Sequence, residues 1–147
     1  NDRGYHFDFL EFEKNHQKNN TPSTPSISLL YALDSMVSSI MEEGLENRFR
    51  RHSETNAQVH KWVEESGFEL FAPDGFRSKT LTAVENNRGI DVPAFIKAVR
   101  ERHNLLINGG YGKIKGKTFR ISNMGNETLS TMDELLRALS EVLPEFT

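Results

Sequence analysis

Cysteine is absent from this chain, which removes disulfides, thiolate nucleophiles and every cysteine-built metal site from consideration. A reducing compartment is compatible with that. Also missing is any apolar run near the roughly 20 residues that span a bilayer, and the N-terminus carries no basic-then-apolar leader pattern. Charge of one sign is lacking as well. Acids and bases are interspersed and sum to −3, so no basic field gathers phosphate backbones and no polybasic patch faces an anionic membrane. These absences suggest a cytoplasmic protein whose partners are neither nucleic acid nor membrane. What is present is 147 residues at ordinary hydrophobicity, enough for one globular domain with a core of its own.

Residues 1–25 read as a connector and 26–147 as a small domain. Tyr5, Phe7 and Phe9 alternate as on a half-buried strand whose sheet partner would lie outside this chain, and they run without a helix cap into a polar stretch ending at Asn20. Pro22 and Pro25 then force an extended path, with Pro25 suited to the first turn of a helix. Ile27, Leu30, Tyr31, Leu33, Val37, Ile40 and Met41 make a broad apolar face that predicts a core helix ending at Gly44. A second helix is expected from Glu46 to Ser66, with Phe49, Val59, Trp62 and Val63 inward and Arg48, Arg50 and Arg51 on a mostly solvated face.

Short strands at 68–71 and 80–85 flank a Pro73-Asp74-Gly75 turn, and Asp91 is placed to cap a third helix with Phe95, Ile96 and Val99 inward. Leu105 to Asn108 and Thr118 to Ser122 read as further strands. Thr131 with Glu134 suggests a capping box for a last helix bearing Leu135, Leu136, Leu139, Val142 and Leu143. The expected fold is α/β, with helices packed on one face of a small sheet.

Two motifs invite a chemical reading. Gly116-Lys117-Thr118 ends like a phosphate-cradling loop, but that loop needs glycine where Tyr111 stands and must open a helix, whereas Thr118 opens a strand. The dinucleotide fingerprint fails at Lys115 for the same reason of spacing. The glycines from Gly109 to Gly116 are expected instead to serve a flexible hairpin-like loop by taking positive φ. Arg120 is the second motif. Alternation along Phe119-Arg120-Ile121 sends its guanidinium to the sheet face opposite the two apolar side chains. There it either grips a carboxylate with its planar fork or closes a surface salt bridge. The five histidines show no metal spacing, although His52 and His60 share a helix, and no serine sits in a nucleophile elbow.

Thr21-Pro22-Ser23-Thr24-Pro25-Ser26-Ile27-Ser28-Leu29-Leu30-Tyr31-Ala32-Leu33 resembles the class V pyridoxal-phosphate aminotransferases, the group of alanine-glyoxylate, serine-glyoxylate and serine-pyruvate aminotransferases and the soluble hydrogenase subunits. Glu42-Glu43-Gly44-Leu45-Glu46, Arg51-His52, Gly67-Phe68-Glu69-Leu70, Gly89-Ile90-Asp91 and Gly116 to Gly125 follow in that family's order.

The resemblance implies the C-terminal small domain of a fold-type I enzyme that moves an amino group from a small amino acid to a 2-oxo acid such as glyoxylate or pyruvate. Thr24, with Thr21 assisting, would then give its hydroxyl to the phosphate of pyridoxal 5'-phosphate held by the partner subunit of a homodimer with a shared active site. Arg120 would bind the substrate α-carboxylate. Ser122-Asn123 departs from the family's usual Gly-His. The resemblance also places the Schiff-base lysine upstream of Asn1, so no catalytic residue is expected in this chain and the fragment alone is expected to be inactive. The alternative is a non-catalytic dimerisation or interaction module of the same fold.

Overall fold

The computed structural model describes residues 4–147, so residues 1–3 of the expected connector lie outside the described residues. The chain forms two compact units, Asn1–Glu43 and Gly44–Thr147.

In the first unit a single 3₁₀ turn, Tyr5–Phe7, precedes helix α1 (Phe9–His16), and helix α2 (Ile27–Glu43) follows. This departs from the strand expected at Tyr5, Phe7 and Phe9. The reason is local: the Asp8 carboxylate accepts from the amides of Leu10 and Glu11 and caps a helix that alternation alone does not reveal. Pro25 lies ahead of α2 rather than in its first turn, and the Ser26 carbonyl accepts the first helical bond from Leu30. The α2 face expected to lie in a core is exposed, from Ile27 through Leu30, Tyr31, Leu33 and Val37 to Met41. No described residue of this unit is buried. The amphipathic period sets which face is apolar, but nothing in these residues covers it.

The second unit holds the core. Helix α3 (Leu45–Glu65) starts on Gly44, whose φ of +80° suits a residue without a side chain, and strands β1 (Glu69–Leu70) and β2 (Leu81–Glu85) follow. Helix α4 (Val92–His103), strands β3 (Asn108–Gly109) and β4 (Thr118–Ser122), and helix α5 (Leu129–Val142) complete it, ending in a 3₁₀ turn at Leu143–Phe146. The sheet is antiparallel throughout in the order β1-β2-β4-β3.

One sheet face, carrying Val84, Phe119 and Ile121, packs against Val59 and Val63 of α3, Phe95 and Val99 of α4, and Leu136, Leu139 and Val142 of α5. This is the expected small α/β domain with its helices on one face. Phe49, expected inward, is 63% exposed and stays outside this core. The last helix starts three residues earlier than the Thr131–Glu134 pattern suggests. Thr128 and Thr131 exchange the capping bonds there, so threonine fills the place the pattern assigns to Glu134. Among the described residues no helix is long and apolar enough to cross a membrane.

Candidate functional site

β4, one of the two inner strands, carries the site. Phe119 meets the rings of Phe68 and Phe95 edge-on, with centroids 5.2 and 6.0 Å away, and Ile121 is fully buried beside it. A one-residue slip would bury the Arg120 guanidinium and expose both apolar side chains, so the core dictates which way Arg120 points. On that open face its cross-strand neighbours are Ala83 of β2 and Asn108 of β3. A methyl at 83 leaves room beside the guanidinium.

Arg120 is held in two ways. Its Nε donates to the Gly109 carbonyl at 3.1 Å, and its Cζ lies 4.3 Å from the centroid of the Tyr111 ring. Among the described residues no carboxylate pairs with it and no acceptor meets its terminal nitrogens, so the salt-bridge alternative does not describe this arginine. Three other arginines of the unit bind the protein itself. Arg77 pairs with Asp74 at 2.6 Å, Arg102 grips Glu145 with both terminal nitrogens, and Arg88 donates to the Ser66 carbonyl. Arg51 also leaves the solvated role expected for it. It is half-buried, and its Nη1 donates to the carbonyls of Gly125 and Glu127 at 3.2 and 2.6 Å.

The glycine-rich loop is less loose than its composition suggests. Gly110 is buried, its amide donates to the Thr118 carbonyl at 2.9 Å, and a Cβ there would meet Thr118 Oγ1 at 2.3 Å and the Ile114 carbonyl oxygen at 2.4 Å. Gly110 is therefore required by close approach rather than by positive φ; Gly112 and Gly116, at φ +53° and +76°, take the conformation expected of them. Lys113, Lys115 and Lys117 are all exposed.

At the other end of β4, Asn123 is fully buried. Its Nδ2 reaches the His52 carbonyl at 3.1 Å, Thr55 Oγ1 at 2.9 Å and the Lys79 carbonyl at 3.0 Å, while His52 Nδ1 donates to the Asn123 carbonyl at 3.0 Å. The Ser122-Asn123 departure thus belongs to a network tying β4 to α3. Asn123 stands out in the sequence but its partnership with His52 and Thr55 does not, because they lie some seventy residues away. His60 lines a separate cavity of about 200 Å³ with Phe76, Arg77 and Leu81, and its pKa is lowered by burial and by the positive charges of Arg77 and Lys79. His52 and His60 therefore have different surroundings despite sharing a helix.

Thr21 and Thr24 belong to the first unit, in the extended segment between α1 and α2, and Arg120 to the second. Thr21 donates its hydroxyl proton to the Ser23 carbonyl at 2.7 Å. Thr24 is exposed, and its hydroxyl has no partner among the described residues. A short hydroxyl donor on a proline-flanked segment fits a phosphate oxygen, Thr24 directly and Thr21 only after giving up its internal bond.

The second unit is thus a two-layer α/β domain that presents the terminal nitrogens of Arg120 from an inner strand, without a protein acceptor among the described residues. No family model matches the chain. It is, however, homologous to the class V aminotransferases. An uncharacterized aminotransferase of Methanocaldococcus jannaschii is 35% identical over 144 residues, 95% of this chain and 37% of that protein. The alanine–glyoxylate aminotransferase of Felis catus is 36% identical over 82% of this chain and 30% of its own length. Among solved structures, the alanine–glyoxylate aminotransferase of a Nostoc species superposes with a TM-score of 0.76 at 34% identity, covering 82% of this chain and 32% of that one. The ureidoglycine–glyoxylate aminotransferase of Bacillus subtilis gives 0.82 at 29% identity over 96% of this chain and 37% of that one. The chain spans about a third of the length of the curated relatives it matches.

Proposed function

We propose that this chain is the C-terminal part of a pyridoxal-phosphate aminotransferase that moves an amino group from a small amino acid of the alanine or serine type to a 2-oxo acid such as glyoxylate or pyruvate. The observation that carries this reading is the Arg120 fork. Its Nε is anchored on the Gly109 carbonyl, and its terminal nitrogens have no protein acceptor among the described residues. A guanidinium so presented binds a carboxylate through two parallel N–H···O bonds and fixes the substrate's orientation as well as its position.

In this reading Thr24, with Thr21 in support, binds the cofactor phosphate of the partner subunit in a cytoplasmic homodimer. Residues 1–25 connect the small domain to the large one. When bound, the cofactor supplies the electron sink. Arg120 recognises the carboxylate common to donor and acceptor, which serves both halves of a transamination. The lysine that joins the cofactor belongs to the large domain, so this chain alone has no transaminase activity. The competing reading, a non-catalytic dimerisation module, draws on the exposed apolar face of α2.

The test is Arg120→Ala in the intact protein. The expected result is a rise in KM for the amino acid and a fall in kcat/KM on the order of 10²-fold, with cofactor absorbance retained. Kinetics unchanged toward every amino acid tried would refute the carboxylate role.

A further inference from the structure

Tyr111 is the residue beside Arg120 that the Proposed function leaves without a task. Its ring is 72% exposed, yet it lies on a loop that has little freedom. The Gly110 amide is bonded to the Thr118 carbonyl, the Tyr111 carbonyl accepts from Ile114 at 3.1 Å, and Thr118 Oγ1 donates to the Ile114 carbonyl at 3.3 Å. The side-chain-free approach at Gly110 brings this loop against the start of β4 and puts the Tyr111 ring over the guanidinium, 4.3 Å from Cζ. No polar contact joins the phenol to the protein: among the described residues the Tyr111 hydroxyl has no partner. The ring face, not the hydroxyl, makes the interaction.

We propose that Tyr111 is a positioning residue for substrate carboxylate recognition, acting through Arg120. This deepens the Proposed function and rests on its assignment of Arg120. A guanidinium has two faces and an edge with two sides that can take a carboxylate bidentately in its plane, Nε with one Nη or the two Nη together. The Nε bond to Gly109 occupies one side of the edge and prevents in-plane rotation. The Tyr111 ring occupies a face and prevents the plane from tilting. What remains is the Nη edge, in one orientation, so the ligand does not have to order a mobile five-bond side chain when it binds. An arginine without the ring would still be charged, but its fork would sample several planes.

The experiment is a double-mutant cycle in the intact, cofactor-loaded protein. It uses Tyr111→Ala, Tyr111→Phe, Arg120→Ala and the Tyr111→Ala/Arg120→Ala pair, with steady-state kinetics toward alanine and equilibrium binding of pyruvate by calorimetry. Tyr111→Ala is expected to raise KM and weaken pyruvate binding by about three- to tenfold with kcat little changed. Tyr111→Phe should restore wild-type values, because the ring face is kept. In the Arg120→Ala background the Tyr111→Ala change should have no further effect. If Arg120→Ala itself leaves kinetics and binding unaltered, the Proposed function fails and this inference falls with it. If Arg120→Ala is impaired but Tyr111→Ala is not, if the two effects simply add, or if Phe does not rescue, the positioning role alone is overturned.

Discussion

At the scale of single residues, the site depends on groups whose importance is not proportional to their chemistry. Gly110 bears no functional group, yet a methyl there would lie 2.4 Å from a backbone oxygen. Gly110→Ala is expected to destabilise the domain by about 1–3 kcal/mol and to disturb the Tyr111 loop, as read by chemical denaturation together with pyruvate affinity. The buried Asn123 amide reaches the His52 and Lys79 carbonyls and the Thr55 hydroxyl at once, so Asn123→Ala should cost about 1–3 kcal/mol, measured the same way. His60 carries a pH dependence. Burial lowers its pKa below the ordinary 6.5, with Arg77 and Lys79 acting in the same direction, so the unfolded chain takes up the proton first. The stability linked to His60 is complete above about pH 6.5 and is lost as pH falls from there through the depressed folded value. An NMR titration should place the His60 midpoint below that of a peptide histidine, and His60→Gln should flatten the acid limb of a stability profile.

At the scale of elements, helix ends set the boundaries and helix interiors supply the core. Asp8 fixes where α1 begins, Asp91 where α4 does, and the bonds exchanged by Thr128 and Thr131 where α5 does. Replacing Thr128 by Ala is expected to destabilise the second unit by about 1 kcal/mol, seen as a lowered denaturation midpoint with unchanged denaturant dependence. β4 shows the complementary case of an element held by its middle. Its five residues pair with β2 along their whole length, and the alternation between Phe119, Arg120 and Ile121 separates core from site. That division was legible in the sequence because a strand's period is two. The anchoring carbonyl of Gly109 and the stacked ring of Tyr111 were not, because they depend on how the loop from 110 to 117 folds back.

At the scale of the whole molecule, the two units differ in kind. Gly44–Thr147 has a continuous core, whereas the described residues of the first unit include no buried side chain, and α2 exposes Tyr31 by 74% and Met41 by 72%. An apolar helix face of this extent favours association in water. The chain produced by itself is expected to self-associate in a concentration-dependent manner by analytical ultracentrifugation. Leu30→Lys with Val37→Lys should suppress this without unfolding the second unit. Association left unchanged by both substitutions would place the sticky surface elsewhere.

The sequence by itself determined the helices of the second unit, its three core-facing stripes, the facing of Arg120 and the kinship with class V aminotransferases. Each of these follows from local periodicity or from ordered motifs along the chain. The tertiary structure alone decided that Arg120 has no carboxylate partner among the described residues, that Tyr111 stacks on it, that Asn123 joins β4 to α3, and that the α2 face is left open. Those outcomes depend on contacts between residues far apart in the chain, or on neighbours that no local pattern encodes. Periodicity tells a side chain which way to point; what it finds there depends on the rest of the fold.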